Sequence, residues 1–537
     1  MKHSGLCRFL SLLVAAILLC GMSTVALAET NKVELTVFSG LSRLVEGYED
    51  NRFTNWYEEQ TGVHINWIAY VDEIPTQFNL SIASGEFADV YDFTYGMTID
   101  ALKAAIDVGA AIPLDPYLEQ YAPNYSKLLA LDPELKKQMT APDGHIYSFV
   151  NYQAIHNFLT PHKLWIFEPW LEASGLGMPT TLDELKELLI YFRDHDMNGN
   201  GDVSDEHPMV GCQGFSFESA DPTVVIMDSF ELFTDNFLKV DDNQVINCGA
   251  ISDNWRAGLS YINKLYEEKL ISPETFTQDL AWLKEYASVA ADEQIRIGIA
   301  GGPLYDRWIT PAYANAYKNY TYVPLLKKDA ESAPQTLLRP RAYDPVFIVS
   351  SACEHPEVAV AWADKLLDPV LQITTAFGWE GEHWTRLSES EETGIVFQLT
   401  DKGLYDEGRG TQNVTWSPSW YETPTYQGLL YMPFTQKYNS NDYKKLKEMA
   451  AFSAYLEYAI PSGIPVKNMW EVDEDVEIEY KELYEDMKSY ILQSYAEFIT
   501  GVRDVDDDAA WQQYKDELSA RGLERYIEVA SLYFFGK

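Results

Sequence analysis

From Val33 to Phe93 the chain switches repeatedly between two hydrophobic periods, and this constrains the fold more than any other feature. Val33-Glu34-Leu35-Thr36-Val37-Phe38 alternates apolar and polar residues before Ser39-Gly40, the pattern of a strand entering a ligand-facing loop. The spacing then predicts a helix over Phe53–Gln60, a strand over Val63–Ile68, a helix over Ile74–Ile82 that stops at Ser84-Gly85, and a short strand in Asp89–Phe93. Strands that alternate with helices pair in parallel, because each crossover helix returns the chain to the same end of the sheet. An α/β lobe with a mostly parallel sheet is expected.

The residues before this lobe follow a different rule. Lys2 and Arg8 precede an uncharged apolar run from Phe9 to Met22, and Ala26-Leu27-Ala28 offers small residues before Glu29. This is the pattern of a signal peptide over residues 1–28, so export to the cell surface, the periplasm or the medium is expected. Cys20 follows Leu18 and Leu19 and lacks the small residue that a lipid anchor needs directly before its cysteine. The remaining 509 residues (537 − 28) exceed what one hydrophobic core organises, which predicts at least two lobes. Cys212, Cys248 and Cys353 are odd in number and far apart, so one disulfide at most is possible. Without the signal the formal charge is 38 − 82 = −44, which repels a polyanion and excludes nucleic acid as a partner.

Further along, Pro142-Asp143-Gly144-His145 reads as a turn, Ile146 to Tyr152 as a strand, and the first crossing between lobes is expected there. Thr181 and Glu184 form a capping box ahead of Leu182, Leu185, Leu188, Leu189 and Phe192, which recur at helical spacing. A helix over Ala257–Glu268 and a strand Ile295–Ile299 running into Gly301-Gly302 follow. Val346–Val349 is a further strand, a helix over Pro356–Leu367 comes directly after it, and the remainder is mainly helical. These elements suggest a first lobe of residues 29–150 plus 295–350 and a second of 151–294 plus 351–537.

One segment carries a chemical signature. Asp196-Met197-Asn198-Gly199-Asn200-Gly201-Asp202-Val203 has oxygen side chains at alternate positions, glycine at the sixth and an aliphatic residue at the eighth, as a Ca2+ loop does. Alternate side chains of such a turn converge on one point, where a hard cation collects six to eight oxygens. The twelfth position, normally a bidentate Glu, is His207, so the expected ligands are Asp196, Asn198, Asn200 and the backbone carbonyl of Asp202, completed by Asp205 and Glu206. Catalytic signatures are missing: the sequence has no H-E-x-x-H, no G-x-S-x-G and no glycine-rich phosphate loop, and with 82 acidic residues a carboxylate pair at glycosidase spacing has no specificity. An enzyme is not expected.

The chain resembles the extracellular solute-binding proteins of family 1, in particular the subset that includes alginate-oligosaccharide-binding proteins. The resemblance rests on Ala83-Ser84-Gly85 with Ala88-Asp89-Val90, on Asp143-Gly144-His145-Ile146-Tyr147, and above all on Pro179-Thr180-Thr181-Leu182-Asp183-Glu184 before the Asp196 loop. Leu265–Ile271, His355-Pro356-Glu357, Gly378–Trp384 and Phe498–Gly501 extend it nearly end to end. The segment Ile166–Trp170 departs from the family pattern, and in the loop Asp205-Glu206-His207-Pro208 closes one residue late. The resemblance implies a two-lobed periplasmic-binding-protein-like fold of the class II type, several crossings, and a monomer that hands a small polar ligand, an oligosaccharide above all, to ABC importer permease subunits.

Cleft contacts are expected where strands end: Asp92, Tyr95, Tyr152, Tyr305, Arg307, Trp308, Trp379 and Trp384, with aromatic faces to stack on sugar rings and polar groups for hydroxyls. The rival readings are a secreted polysaccharide-active enzyme and a calcium-binding surface protein.

Overall fold

The computed structural model describes residues 32–536 apart from 42–46, 50, 94–96, 153–158, 214–219, 242, 289–294, 304–307, 310–317, 340–342, 391–393, 402–433, 437–442, 466–469 and 471–472. Among them, nine strands build the two larger sheets: β1 (Val33–Gly40), β2 (Val63–Tyr70), β3 (Val90–Asp92), β4 (Phe149–Tyr152), β5 (Leu164–Phe167), β6 (His207–Met209), β7 (Ile297–Gly301), β8 (Tyr320–Tyr322) and β9 (Tyr343–Val349).

The first sheet has the order β2-β1-β3-β9-β4. β1 lies parallel to β2 from Val33↔Val63 to Gly40↔Tyr70 and parallel to β3, as the alternating pattern predicts. β9 enters from far along the chain and runs antiparallel to both β3 and β4. The alternation of β1 divides its side chains between two cores. Leu35 and Val37 join Phe53, Tyr57, Leu118 and Trp362 on one face, and Phe38 joins Phe78, Tyr91 and Leu102 on the other.

The second sheet has the order β8-β5-β7-β6, with β5 antiparallel to β8 and β7, and β6 parallel to β7. Leu164-Trp165-Ile166-Phe167 is buried on both faces, under the helix Leu182–Asp194 on one side of the core. That helix begins at the expected capping box, with Thr181 Oγ1 accepting from the Glu184 N–H at 3.2 Å and the Glu184 carboxylate accepting from the Thr181 N–H. Its Leu185, Leu188, Leu189 and Phe192 are sealed in the core, each stabilising the fold by about 1.5–3 kcal/mol through burial. The helices Asp253–Glu267, Glu474–Ile499, Asp508–Ala520 and Leu523–Phe535 complete the same core. Separate cores around two sheets, two on the faces of the first and one around the second, make the molecule two α/β lobes.

Two expected boundaries need correction. Residues 295–350 do not return to the first lobe as a block: β7 sits inside the second sheet, Ile299 pairing with both Ile166 and Met209, and β8 borders it, so the return waits until β9. Nor do residues 351–537 all belong to the second lobe. The helix Pro356–Lys365 buries Ala359, Val360, Trp362 and Ala363 in the first core. A third, small sheet of Trp384–Ser390, Gly394–Leu399 and Phe434–Gln436 has a core of its own, containing Trp384, Ile395, Phe397 and Leu399. Among the described residues no helix is long and apolar enough to cross a membrane.

Candidate functional site

In the first sheet the chain leaves β1 for β2 on one side and reaches β3 on the other. The carboxyl ends of β1 and β3 therefore form a topological switch point, the crevice where open α/β sheets hold ligands. Ser39, Gly40, Asp92 and Phe93 stand there. Ser39 Oγ lies 3.4 Å from Asp92 Oδ2, the Leu41 N–H donates to the Tyr70 carbonyl at 2.7 Å, and the Phe93 N–H donates to the Val346 carbonyl at 2.8 Å. These bonds fix both strand ends, and only 2% of Asp92 is exposed.

The second lobe contributes a buried polar cluster at the junction, where the chain arrives from β4 to start β5. Lys163 is wholly buried; its ammonium donates to the Thr160 carbonyl and hydroxyl and stands 5.5 Å from the Tyr455 ring centre. Next to it, His162 Nδ1 lies 2.8 Å from Asp228 Oδ2. Burial opposes the charged imidazole, but the Asp228 carboxylate outweighs it and lifts the His162 pKa above its ordinary value. Asp221 starts the helix Thr223–Asp228 by accepting from the Thr223 N–H at 2.8 Å and hydroxyl at 2.6 Å, and burial pushes it up to about 6. Gly301, at the end of β7, packs so closely that a Cβ there would stand 2.9 Å from the Asp221 carbonyl oxygen. The Gly302 N–H donates to the Lys163 carbonyl at 3.0 Å, tying β7 to the entry of β5. The sequence reading marked Gly301-Gly302 but none of the polar residues of this cluster; their signal was Thr160-Pro161-His162-Lys163, a polar run directly before an apolar strand.

Of the eight expected cleft residues, Asp92 alone is placed at the switch point. Tyr95, Tyr305 and Arg307 lie outside the described residues. Tyr152 ends β4, its backbone opposite Tyr343. Trp379 is half-buried against the first lobe, with the Arg52 guanidinium 4.5 Å from its ring centre and Trp56 edge-on at 5.2 Å. Trp308 and Trp384 need correction. Both are 0% exposed with their indole N–H bonded internally, Trp308 to the Gly301 carbonyl at 3.0 Å and Trp384 to the Gly378 carbonyl at 2.7 Å. A ring without free surface cannot stack on a sugar; Trp308 backs the Gly301-Gly302 turn, and Trp384 packs edge-on against Phe397 in the core of the small third sheet.

The Asp196 loop folds on itself. Asp196 accepts from the N–H groups of Gly199, Asn200 and Gly201, Asn198 Oδ1 from the Asn200 N–H, and Asn200 Oδ1 from the Asp202 N–H. Asp202 turns its side chain to Ser204, accepting from its N–H at 2.9 Å and its hydroxyl at 2.6 Å. His207, at the twelfth position, bonds Ser272 Oγ at 2.7 Å and packs on Tyr286, so it faces the core and not the loop. Asp205 accepts from the Asn198 and Asn200 amides at 3.2 and 2.9 Å, and Glu206 Oε1 from the Asn198 N–H at 2.8 Å. Glu206 is 93% buried (7% exposed), and its Oε2 has no hydrogen-bond partner. Burial first, then the Asp196 and Asp205 charges, raise its pKa against its hydrogen bonds. Among the described residues no set of three or more His, Cys, Asp or Glu side chains is gathered as a metal cluster, here or elsewhere. A mixed set of carboxylate, amide and carbonyl oxygens, as expected for calcium, is a different arrangement.

No family model matches the chain. It is 27% identical over 499 residues to the fructooligosaccharide ABC transporter substrate-binding protein FusA of Streptococcus pneumoniae serotype 4, spanning 89% of this chain and 85% of that one. Its homologues are ABC transporter substrate-binding proteins. The lipoprotein LipO of Bacillus subtilis is 28% identical over 232 residues, 42% of each chain. Solved structures agree on the fold. FusA of S. pneumoniae in complex with kestose superposes with a TM-score of 0.66 at 22% identity, covering 94% of this chain and 99% of that one. An HMO-binding, ABC-transporter-associated solute-binding protein from Bifidobacterium longum infantis superposes at 0.69 and 18% identity, covering 94% and 98%.

Proposed function

We propose that this chain is the extracytoplasmic substrate-binding component of an ABC importer, and that it captures an oligosaccharide between its lobes. The observation that carries this reading is the pairing of two separately cored α/β lobes, with polar groups fixed at the switch point of one and at the junction end of the other. Homology over 89% of the chain to a fructooligosaccharide-binding protein supports the ligand class. A guest held by both lobes stabilises the closed form over the open one, so binding shifts the hinge equilibrium and permease subunits read the result. The protein acts as an exported monomeric carrier that returns its ligand unaltered, not as an enzyme.

The same reading gives the loop a structural Ca2+. Asp196, Asn198, Asn200, the Asp202 carbonyl, Asp205 and Glu206 would hold it, and the ion would supply the positive charge that three neighbouring carboxylates lack. Support comes from the buried, partnerless Glu206 Oε2 and from the oxygen-only donor set. Among the fold's relatives are a FusA EF-hand mutant and an alginate-binding protein, AlgQ2, solved without calcium ion.

A thermal-shift screen of the purified chain against fructo-, alginate- and milk-type oligosaccharides tests the main reading. A raised melting temperature, one-to-one calorimetric binding and chromatographic recovery of intact sugar are expected. Silence across the panel, or recovery of cleaved sugar, would defeat it.

A further inference from the structure

Around Asp205 the structure leaves two buried charged atoms unsatisfied. One is Glu206 Oε2; the other is Arg296 Nε, which has no hydrogen-bond partner although it lies 3.5 Å from Asp205 Oδ2. Arg296 is held in place from several sides. Its guanidinium stands 5.7 Å from the Tyr286 ring centre, its carbonyl accepts the His207 N–H at 2.7 Å, and the Tyr286 hydroxyl donates to the Asp205 carbonyl at 3.0 Å. The arginine thus supplies the loop with a positive charge through proximity, without a well-made hydrogen bond at Nε. Asp205 meanwhile gives its oxygens to the Asn198 and Asn200 amides, residues of the same proposed donor set.

We infer that Arg296 is a built-in competitor for calcium: a positioning residue that neutralises Asp205 when the loop is metal-free and weakens the loop's affinity for the ion. The inference rests on the calcium reading above. Asp205 carries one negative charge, so a dication that takes it faces a guanidinium fixed a few ångströms away, and the two cations repel. The fixation matters. A free surface arginine would swing aside, but this guanidinium lies against the Tyr286 ring and rises from a backbone that the His207 N–H fixes. Arg296 therefore raises the stability of the empty loop and lowers its appetite for calcium, leaving a site that discharges when the ion becomes scarce.

The sign distinguishes this role from a merely structural one, since loss of a structural support weakens both folding and metal binding. Calorimetric titration of the metal-stripped full chain with calcium chloride, alongside melting curves, provides the test. R296Q is expected to bind calcium about five- to tenfold more tightly than wild type while melting lower when metal-free. R296K keeps the charge without the guanidinium's seat on Tyr286 and should fall between wild type and R296Q. R296M keeps the aliphatic stem over Tyr286 and carries the same test should R296Q fail to fold. Unchanged or weaker calcium binding in a folded charge-removing variant would overturn the inference. If wild type itself shows neither heat nor a melting shift with calcium, the calcium reading falls, and this inference with it.

Discussion

The Asp364 carboxylate accepts the backbone N–H of Tyr125 at 2.7 Å, from a position 239 residues away in sequence. Its other oxygen accepts from the Asn124 N–H at 3.2 Å, so the helix Pro356–Lys365 caps the amino end of the helix Pro123–Leu131. Burial outweighs these bonds and pushes Asp364 up to about 6. An aspartate with a raised folded pKa holds its proton more firmly in the folded state. Its stability contribution is complete below about pH 4, is lost as pH rises to about 6, and amounts to at most about 3 kcal/mol. Urea unfolding of wild type should show this loss between pH 4 and 6, and D364N should not. D364A is expected to lose about 1–3 kcal/mol, since the N–H groups of Asn124 and Tyr125 are left unpaired.

Trp384, wholly enclosed with Phe397, Ile395 and Leu399, should behave as a packing residue. Its replacement by alanine is expected to destabilise the protein by about 3–5 kcal/mol. The affinity of the folded variant for whichever oligosaccharide raises the wild-type melting temperature should stay the same. A large loss of affinity with an unchanged denaturation midpoint would return Trp384 to the binding site.

Calcium that binds only the folded chain stabilises it by mass action, about 2.7 kcal/mol at a hundredfold excess over the dissociation constant. Chelation should therefore lower the melting temperature of wild type. D196A, which removes the acceptor of three loop N–H groups, and E206Q, which removes the charge at the partnerless oxygen, should each abolish the calcium-dependent increment.

The His162–Asp228 pair gives a second pH signature. Asp228 Oδ1 has no hydrogen-bond partner, and removal of either side chain leaves an unbalanced buried charge, so D228A should lose about 3–5 kcal/mol. His162 has a raised folded pKa, so its contribution is complete below the unfolded value near 6.5 and disappears as pH rises through the folded one. Unfolding free energies between pH 6 and 9 should fall in wild type and stay flatter in D228N. Parallel slopes would show that the pair does not titrate in this range.

Local rules made much of the fold legible. The alternation in Val33–Phe38 and the Thr181–Glu184 capping box announced elements that formed as expected, because each depends on residues within one or two turns. Lobe membership was not local. Ile297-Gly298-Ile299 reads as a buried strand in either sheet, and only its pairing with Ile166 and Met209 decides which. The tryptophans failed for a related reason: an aromatic after a glycine turn looks the same whether its ring meets a ligand or Phe397. His162 and Asp228 were invisible because each is tolerable in a core only through the other, 66 residues away.

β9 is the sole described bridge between β3 and β4, pairing with Asp92 on one side and Val150 on the other. A chain emerging from the ribosome has therefore made β1 to β4, and all four strands of the second sheet, before the strand that closes the first exists. Until about residue 349 appears, β3 is an open edge and β4 a strand with nothing to pair with, the kind of exposed backbone that recruits a neighbouring chain. The sheet that begins first therefore closes only after every strand of the second has been made, and truncations short of β9 should aggregate through that edge.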